Sequence, residues 1–288
     1  MLKSRLCAVL LSLLPLGLLA CAPTPSDQQP SNVSQGTREA QTLKILSWQA
    51  PTILNPHLST GFKDAEASRI TLEPLATFNQ QGELIPFLAA EIPSRENGGV
   101  AADGKSVTWK LKPDVQWSDG QPFSADDVVF TYGFVSNPQT GATSAGSYEA
   151  IAKVEALDPQ TVKITFKEPT AAWFLPFVGS EGMILPKHIY QDYVGEKARQ
   201  APANLFPVGT GPYRVTEFKP GDVVLYEVNP QFRDKDQLGF QRVELKGGGD
   251  ATSAARAVLQ TGDADFAFNL QVENNILQSL AQGGQGQV

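Results

Sequence analysis

Few residues of this chain could carry acid–base chemistry, and the clearest pair is Asp126 with Asp127. Two carboxylates can serve as general acid and base when they face one substrate. Neighbouring positions on a helix point about 100° apart, so these two side chains cannot do so if the segment is helical. Ser124 precedes them at the Ser-x-x-acid spacing of a helix start, where carboxylates stabilise the positive end of the helix dipole. The pattern therefore favours helix capping over catalysis.

Patterns for metal, nucleophilic and nucleotide chemistry are also weak. His188 is one of two histidines and has no partner motif, which favours a structural, solvent-facing side chain over a metal ligand or base. The Gly-x-Ser-x-Gly elbow of serine hydrolases does not occur. The string GTGPY at 209–213 lacks the third glycine of a dinucleotide fingerprint and does not continue into Gly-Lys-Ser/Thr. We therefore predict a protein that is not an enzyme and that holds no cofactor and no metal.

The elements that position these residues lie in one compact block, 103–132. Val107 and Trp109 alternate with polar residues, which predicts a half-buried strand. Val115 and Trp117 resume the alternation after a turn, which predicts a second, short strand before the capped helix. Both tryptophans are predicted to be core residues because they lie on alternating strands. The predicted apolar face of the helix comprises Val128, Val129, Tyr132 and Val135.

Composition places the chain among ordinary globular proteins. Of its 288 residues, 41% are hydrophobic and 18% are charged, which excludes a wholly disordered chain. The formal net charge of -7 argues against a nucleic-acid partner, because a nucleic-acid binder needs a basic face. The length fits one large domain or two ordinary ones.

The first residues have the organisation of a secretory signal. Two basic residues precede an apolar run, Leu6–Leu19, that is short for a membrane span. The run leads into Leu-Leu-Ala-Cys21, which resembles a bacterial lipobox, so Cys21 is the predicted lipidation site. Residues 1–20 would then be a lipoprotein signal peptide, and residues 21–41, rich in Pro, Ser and Gln, a flexible tether. An ordinary secretory peptide with an incidental cysteine is the alternative.

Longer strings carry a resemblance to a known family. The string WSDGQPFSADDVVFTY at 117–132 resembles the signature of the family 5 extracellular solute-binding proteins, the peptide and nickel receptors of ABC importers. PVGTGPY at 207–213, MILPKH at 183–188 and GDADF at 262–266 are similar to further segments of that family. The resemblance covers about residues 42–268.

The resemblance implies a fold and a division of the chain. The expected fold class is α/β, a type II (cluster C) periplasmic-binding-protein-like lobe with mixed sheets and flanking helices. Residues 42–268 would form the N-terminal lobe, in which 55–185 is a family-specific extra subdomain. Residues 269–288 would be a truncated crossover to a missing second lobe.

The resemblance also implies a function. The expected protein is a lipid-anchored substrate-binding component of an ABC importer, held on the periplasmic or extracellular face of the bacterial cytoplasmic membrane. Its expected partners are oligopeptides or similar small solutes and the permease subunits of the importer. Two alternatives remain open: a truncated remnant or partner-binding protein without solute capture, and a secreted hydrolase.

The family pattern locates a ligand cleft. Residues 62–64 would form a lip that offers backbone groups to a peptide like an added strand, and Arg69–Leu75 would be the first domain helix. The glycines of the 209–213 string would let the backbone bend tightly beside the cleft. The predicted ligand-binding residues are Phe62, Lys63, Asp64, Trp173, Gly209, Thr210, Gly211 and Tyr213.

Several further elements are predicted from periodicity and turn residues. They are a strand over 42–48, a strand, turn and return over 75–90, a mobile loop over 136–147, a hairpin through 158–159, a short helix over 171–177, a hairpin over 214–227, a strand over 241–246, and a helix over 251–260 capped by Thr252 or Ser253 and ended by Gly262.

Overall fold

The computed structural model describes residues 41–247, 249–268, 271–284 and 286–288. The predicted signal peptide, the predicted lipidation site Cys21 and all but the last residue of the predicted tether lie outside these ranges. Within the described ranges, no helix has the length and apolar character needed to cross a membrane.

Strands and helices are distributed along the whole described chain. The strands are β1 (Thr42–Ser47), β2 (Ala76–Phe78), β3 (Leu84–Pro86), β4 (Ser106–Lys110), β5 (Ile151–Asp158), β6 (Thr161–Phe166), β7 (Tyr213–Lys219), β8 (Val223–Val228), β9 (Arg242–Gly247) and β10 (Phe266–Phe268). The α-helices are α1 (Phe62–Ser68), α2 (Ala125–Ser136), α3 (Lys187–Tyr190), α4 (Ala251–Arg256) and α5 (Asn274–Gln282). The predictions of β1, β4, β9 and the hairpins β2–β3, β5–β6 and β7–β8 are confirmed.

One mixed sheet has the strand order β10-β1-β9-β8-β7. In it β1 runs parallel to β9 and β10, whereas β7, β8 and β9 are antiparallel. The β7–β8 turn contains Gly221 with a φ of 82°, a left-handed conformation that glycine adopts without strain. The sheet contributes to a small core cluster that comprises Leu54, Ala67, Phe218, Val224, Tyr226, Val243 and Leu245.

A second, antiparallel sheet has the order β4-β6-β5 and contributes to the larger core. Trp109 and Trp117 are both fully buried there, which confirms their prediction as core residues. The short strand predicted around Trp117 is wrong, because this stretch makes only an isolated bridge between Gln116 and Pro122. Asp114, at a φ of 59°, interrupts the extended run before it can pair.

The start of α2 confirms the capping prediction. One carboxylate oxygen of Asp127 accepts the backbone N–H of Ser124 at 3.0 Å, and the other accepts that of Lys187 at 2.9 Å. Asp126 points instead to solvent, where the Lys187 ammonium approaches it at 3.2 Å. Burial raises the pKa of the Asp127 carboxyl. The two carboxylates therefore face different surroundings and act on different parts of the structure.

The buried face of α2 agrees only partly with its prediction. Val128 and Val135 are buried, but Thr131 and Phe134 are the other buried side chains of that face after the first turn. The Thr131 hydroxyl donates to the carbonyl of Asp127 at 2.8 Å and accepts the N–H of Leu185 at 2.9 Å. A polar side chain with both of these partners can replace an apolar one in the core.

One other predicted element is wrong. Residues 171–177 form successive turns rather than a helix, because Pro176 has no N–H to donate and Phe177 has a φ of 62°. The predicted loop over 136–147 connects α2 to β5 and includes short 3₁₀ helices, and Ser144 is buried in it.

The last described part of the chain also differs from its prediction. Asp250, and not Thr252 or Ser253, caps α4, because its carboxylate accepts the N–H of Ser253 at 2.8 Å. Gly262 ends the helical segment at a φ of 70°, as predicted. The stretch 271–284 contains α5, where the sequence predicted no regular element.

Candidate functional site

A buried extended segment, 71–76, lies against the predicted site turn 207–213. The predicted helix over Arg69–Leu75 is wrong, since α1 ends at Ser68 and the chain then extends. Pro74 cannot continue a helix, and the backbone groups of the segment bond to other parts of the chain instead. The Thr71 carbonyl accepts the N–H of Gly211 at 2.9 Å.

The turn 207–213 owes its glycines to the close approach of this segment. A Cβ atom added at Gly209 would lie 2.0 Å from the Thr71 carbonyl oxygen, and one at Gly211 would lie 2.6 Å from the same atom. Neither glycine has a positive φ. The backbone bends over 210–212, as predicted, but what requires glycine at 209 and 211 is the close packing of two backbones rather than a positive φ.

The other residues of the turn are held on several sides. Thr210 is buried, and its hydroxyl makes no hydrogen bond to any residue that the structure describes. Tyr213 donates its phenol to the Phe240 carbonyl at 3.0 Å, and burial raises the pKa of that phenol. The backbone N–H of Ser118 donates to the carbonyl of Gly209 at 2.8 Å. The turn is thus joined to the WSDG string of the large core.

The predicted lip, 62–64, is the first turn of α1 and not an extended edge. The Asp64 side chain is 1% exposed and accepts the backbone N–H groups of Thr52 at 2.6 Å and Ile53 at 3.3 Å. Lys63 pairs with this carboxylate at 2.8 Å. The prediction of an added-strand lip is therefore wrong, because the segment is helical and the Asp64 contacts hold that helix against Thr52 and Ile53. Phe62, which is 74% exposed, is the one member with a free apolar surface.

The structure brings two of the three predicted site segments together. The C-terminal end of α1 leads into Ile70, whose carbonyl accepts the N–H of Tyr213 at 3.3 Å. Helix α1 and the turn are therefore neighbours. Trp173 belongs elsewhere: it is half-buried, and its ring lies 5.9 Å from that of Trp109 and 5.8 Å from that of Phe174. These contacts place Trp173 against the large core.

A buried His–Ser pair was not predicted from the sequence. His57 Nδ1 lies 2.7 Å from the Ser144 hydroxyl, and Nε2 lies 2.7 Å from the Met183 carbonyl. Because a carbonyl only accepts, Nε2 carries the hydrogen and Nδ1 accepts the hydroxyl proton. This is the contact of a hydrolase nucleophile and its base. His57 is 0% exposed, however, so no substrate reaches the pair, and its role is structural.

The exposed histidine has a partner that sequence spacing could not reveal. His188 Nε2 lies 2.7 Å from a carboxylate oxygen of Asp119, and both side chains are one-third exposed. The prediction of a solvent-facing side chain is confirmed. Among the residues described, no three His, Cys, Asp or Glu side chains come together to hold a metal ion.

One further string matches a phosphate-binding pattern. Gly99 and Gly104-Lys105-Ser106 have the G-x₄-G-K-S spacing of a P-loop. That motif works where a strand passes through the loop into a helix. Here the string leads into the antiparallel strand β4, so the helix that would hold phosphate is not next in the chain. The match is a coincidence of spacing.

A comparison with models of known protein families shows to which family the chain belongs. Residues 83–285 match the model of the bacterial extracellular solute-binding proteins, family 5. This chain belongs to that family. The chain has the predicted fold class, an α/β, type II periplasmic-binding-protein-like lobe.

Solved structures and curated proteins agree with this assignment. NikZ from Campylobacter jejuni in complex with Ni(L-His) is 32% identical, with a TM-score of 0.67 over 78% of this chain and 43% of that one. The oligopeptide-binding protein AppA from Bacillus subtilis, at 24% identity, shares the fold with a TM-score of 0.72 over 84% and 46%. The glutathione-binding protein GsiB of Escherichia coli is 30% identical over 63% of this chain and 34% of its own length. The chain thus spans under half the length of these relatives. Members of the family are periplasmic or extracellular solute-binding receptors.

Proposed function

We propose that this chain is the solute-binding component of an ABC importer, that its solute is an oligopeptide, and that Cys21 anchors it to the membrane through lipid. The observation that carries the proposal is the junction of α1 with the turn 207–213, in a fold shared with peptide and nickel receptors. Phe62, at the start of α1, is 74% exposed and offers apolar surface to a solute side chain. Phe62, Lys63 and Tyr213 are the proposed direct contacts, and Trp173 is a proposed contact on a separate surface beside Trp109. The buried residues Asp64, Gly209, Thr210 and Gly211 would act through the shape of α1 and of the turn.

A peptide is favoured over nickel by the chemistry of the described residues. A nickel ion prefers imidazole and other nitrogen ligands. His57 is fully buried, and His188 lies on a different element from α1 and from the turn. The exposed apolar side chain of Phe62 suits a peptide side chain better.

Binding measurements on the purified chain test this proposal. We expect saturable binding of an oligopeptide with apolar side chains by calorimetry, and no comparable heat with the nickel–histidine complex or with glutathione. Phe62→Ala should weaken peptide binding about tenfold, because burial of a phenylalanine side chain stabilises by roughly 1.5–3 kcal/mol. Phe78→Ala is the matched control, since Phe78 is 47% exposed and lies on β2.

Three outcomes would contradict the proposal in different ways. Binding of the nickel complex alone would overturn the peptide class. Equal losses from Phe62→Ala and Phe78→Ala would overturn the location of the site. No solute binding, together with capture of a protein partner in the absence of any permease, would favour the partner-binding alternative.

The lipid anchor predicts a clear change in fractionation. Cys21→Ser should move the protein from the membrane fraction to the soluble fraction of its host, because the thiol is the only site for the lipid in the predicted mature chain. Cys7→Ser, within the predicted signal peptide, is the control and should leave the distribution unchanged. Membrane retention of Cys21→Ser would refute the anchor while leaving solute binding untouched.

A further inference from the structure

An internal ion pair joins the exit of β8 to the buried segment 71–76. The two terminal nitrogens of Arg233 donate to the two carboxylate oxygens of Glu73 at 2.7 and 2.8 Å. The Glu73 side chain is 3% exposed, and the guanidinium lies 5.0 Å from the centre of the Phe232 ring. Two parallel hydrogen bonds between a guanidinium and a carboxylate fix the relative orientation of the two groups as well as their distance.

This ion pair closes a ring of contacts around the turn 207–213. The Thr71 carbonyl accepts the N–H of Gly211, and the carbonyl of Gly211 accepts the side-chain amide of Asn229 at 2.9 Å. Asn229 also donates its backbone N–H to the turn, at the carbonyl of residue 212. Four residues later Arg233 reaches Glu73, which lies two residues beyond Thr71.

The hydrogen bonds at Gly211 and the Arg233–Glu73 ion pair restrain different parts of this ring. The bonds of Thr71 and Asn229 fix the two sides of Gly211. The ion pair adds a second connection between the segment 71–76, at Glu73, and the residues that follow β8, at Arg233. Burial and then the charge of Arg233 lower the pKa of the Lys112 ammonium, whereas the charge of Glu73 acts in the opposite direction. The partner that holds the Glu73 carboxylate is Arg233.

We propose that Arg233 and Glu73 are positioning residues that fix the turn 207–213 against the segment 71–76. Without the two-pronged contact, the exit of β8 loses its attachment to the segment, and the bond between Gly211 and Thr71 opens more often. The inference concerns the geometry of the turn and holds whether or not the turn contacts a solute.

Amide hydrogen exchange tests the proposal without a ligand. Arg233→Lys keeps the charge but cannot make two parallel bonds to one carboxylate. We expect the amides of Gly211 and Tyr213 to exchange at least about tenfold faster in this variant. Such a factor corresponds to a modest decrease in the free energy of local opening. Amides of the β4–β6 pairing, such as that of Trp109, should keep their wild-type rates.

A matched control separates this effect from the loss of any arginine. Arg214 pairs with Glu227 on the surface of the β7–β8 hairpin, where both side chains are well exposed. Arg214→Lys should leave the Gly211 amide unchanged, whereas Glu73→Gln should reproduce the local effect of Arg233→Lys. Wild-type protection of Gly211 in Arg233→Lys, a uniform acceleration that includes β4–β6, or an equal effect of Arg214→Lys would each overturn the proposal.

Discussion

Gly209→Ala is expected to destabilise the protein by about 3 kcal/mol or more, near the upper end of the effects of overpacking. The added methyl group would lie 2.0 Å from the Thr71 carbonyl oxygen and 2.7 Å from its carbonyl carbon. Both are backbone atoms, so no side-chain rotation relieves the clash. The segment 71–76 cannot retreat freely, because its backbone also bonds to residues 177 and 184 on its other side. Urea denaturation at fixed pH measures the effect.

Gly133→Ala is the matched control. Gly133 lies on the exposed side of α2, and an added Cβ would meet nothing within 4 Å. The same chemical change should therefore stabilise the protein by about 0.5–1 kcal/mol, the helix preference of alanine over glycine. A Gly209→Ala variant within about 1 kcal/mol of the wild type would contradict the close approach of the two backbones.

Acid is expected to weaken the fold through His57. Burial is the main cause that lowers the pKa of this imidazole from 6.5 to about 4, against weaker opposing contributions from the Met183 carbonyl and Glu181. Between these two pH values the unfolded chain binds a proton that the folded chain excludes. The stabilisation is therefore complete above pH 6.5 and is lost progressively as the pH falls to about 4, by about 3 kcal/mol.

The free energy of unfolding between pH 4 and 8 measures this dependence. His57→Gln should remove the contribution of His57 to the slope of the free energy of unfolding against pH. The variant should also be less stable at pH 8, because the Ser144 and Met183 contacts change. His188→Gln, which alters the exposed histidine, should retain that part of the slope. Taking the difference between wild type and His57→Gln cancels the other groups, including Asp127, whose raised pKa acts in the opposite direction. An unchanged slope in His57→Gln would show that the histidine is not the group concerned.

Local patterns predicted the strands and hairpins well. Alternation with a period of two identified β1, β4, β6 and β9, and turn residues identified the hairpins, Gly82, Gly221 and the Asp158-Pro159 pair among them, because both signals depend on neighbours in sequence. The capping box at Ser124 and Asp127 was predicted for the same reason. The family could also be predicted, since long strings around Trp117 and Gly209 are similar to it.

The errors fall where distant contacts override local preference. The family resemblance implied a helix over 69–75, yet residues 71–76 form a buried extended segment to which Gly211, Ile184 and Phe177 supply hydrogen bonds from remote parts of the chain. The helix that begins at Phe62 is fixed in place by Asp64, which binds the backbone of Thr52 and Ile53. No pattern within ten residues contains these partners.

The sequence by itself determined the family, the fold class and most strands, and it identified the glycine turn 207–213 as a candidate part of the site. Only the tertiary structure decided why that turn needs glycine, that Asp64 is internal, and that His57 pairs with Ser144. The reason is that backbone approach and buried hydrogen bonds are made between positions far apart in sequence. For Arg233 and Glu73 the separation is 160 residues, which sequence patterns of a few residues cannot register.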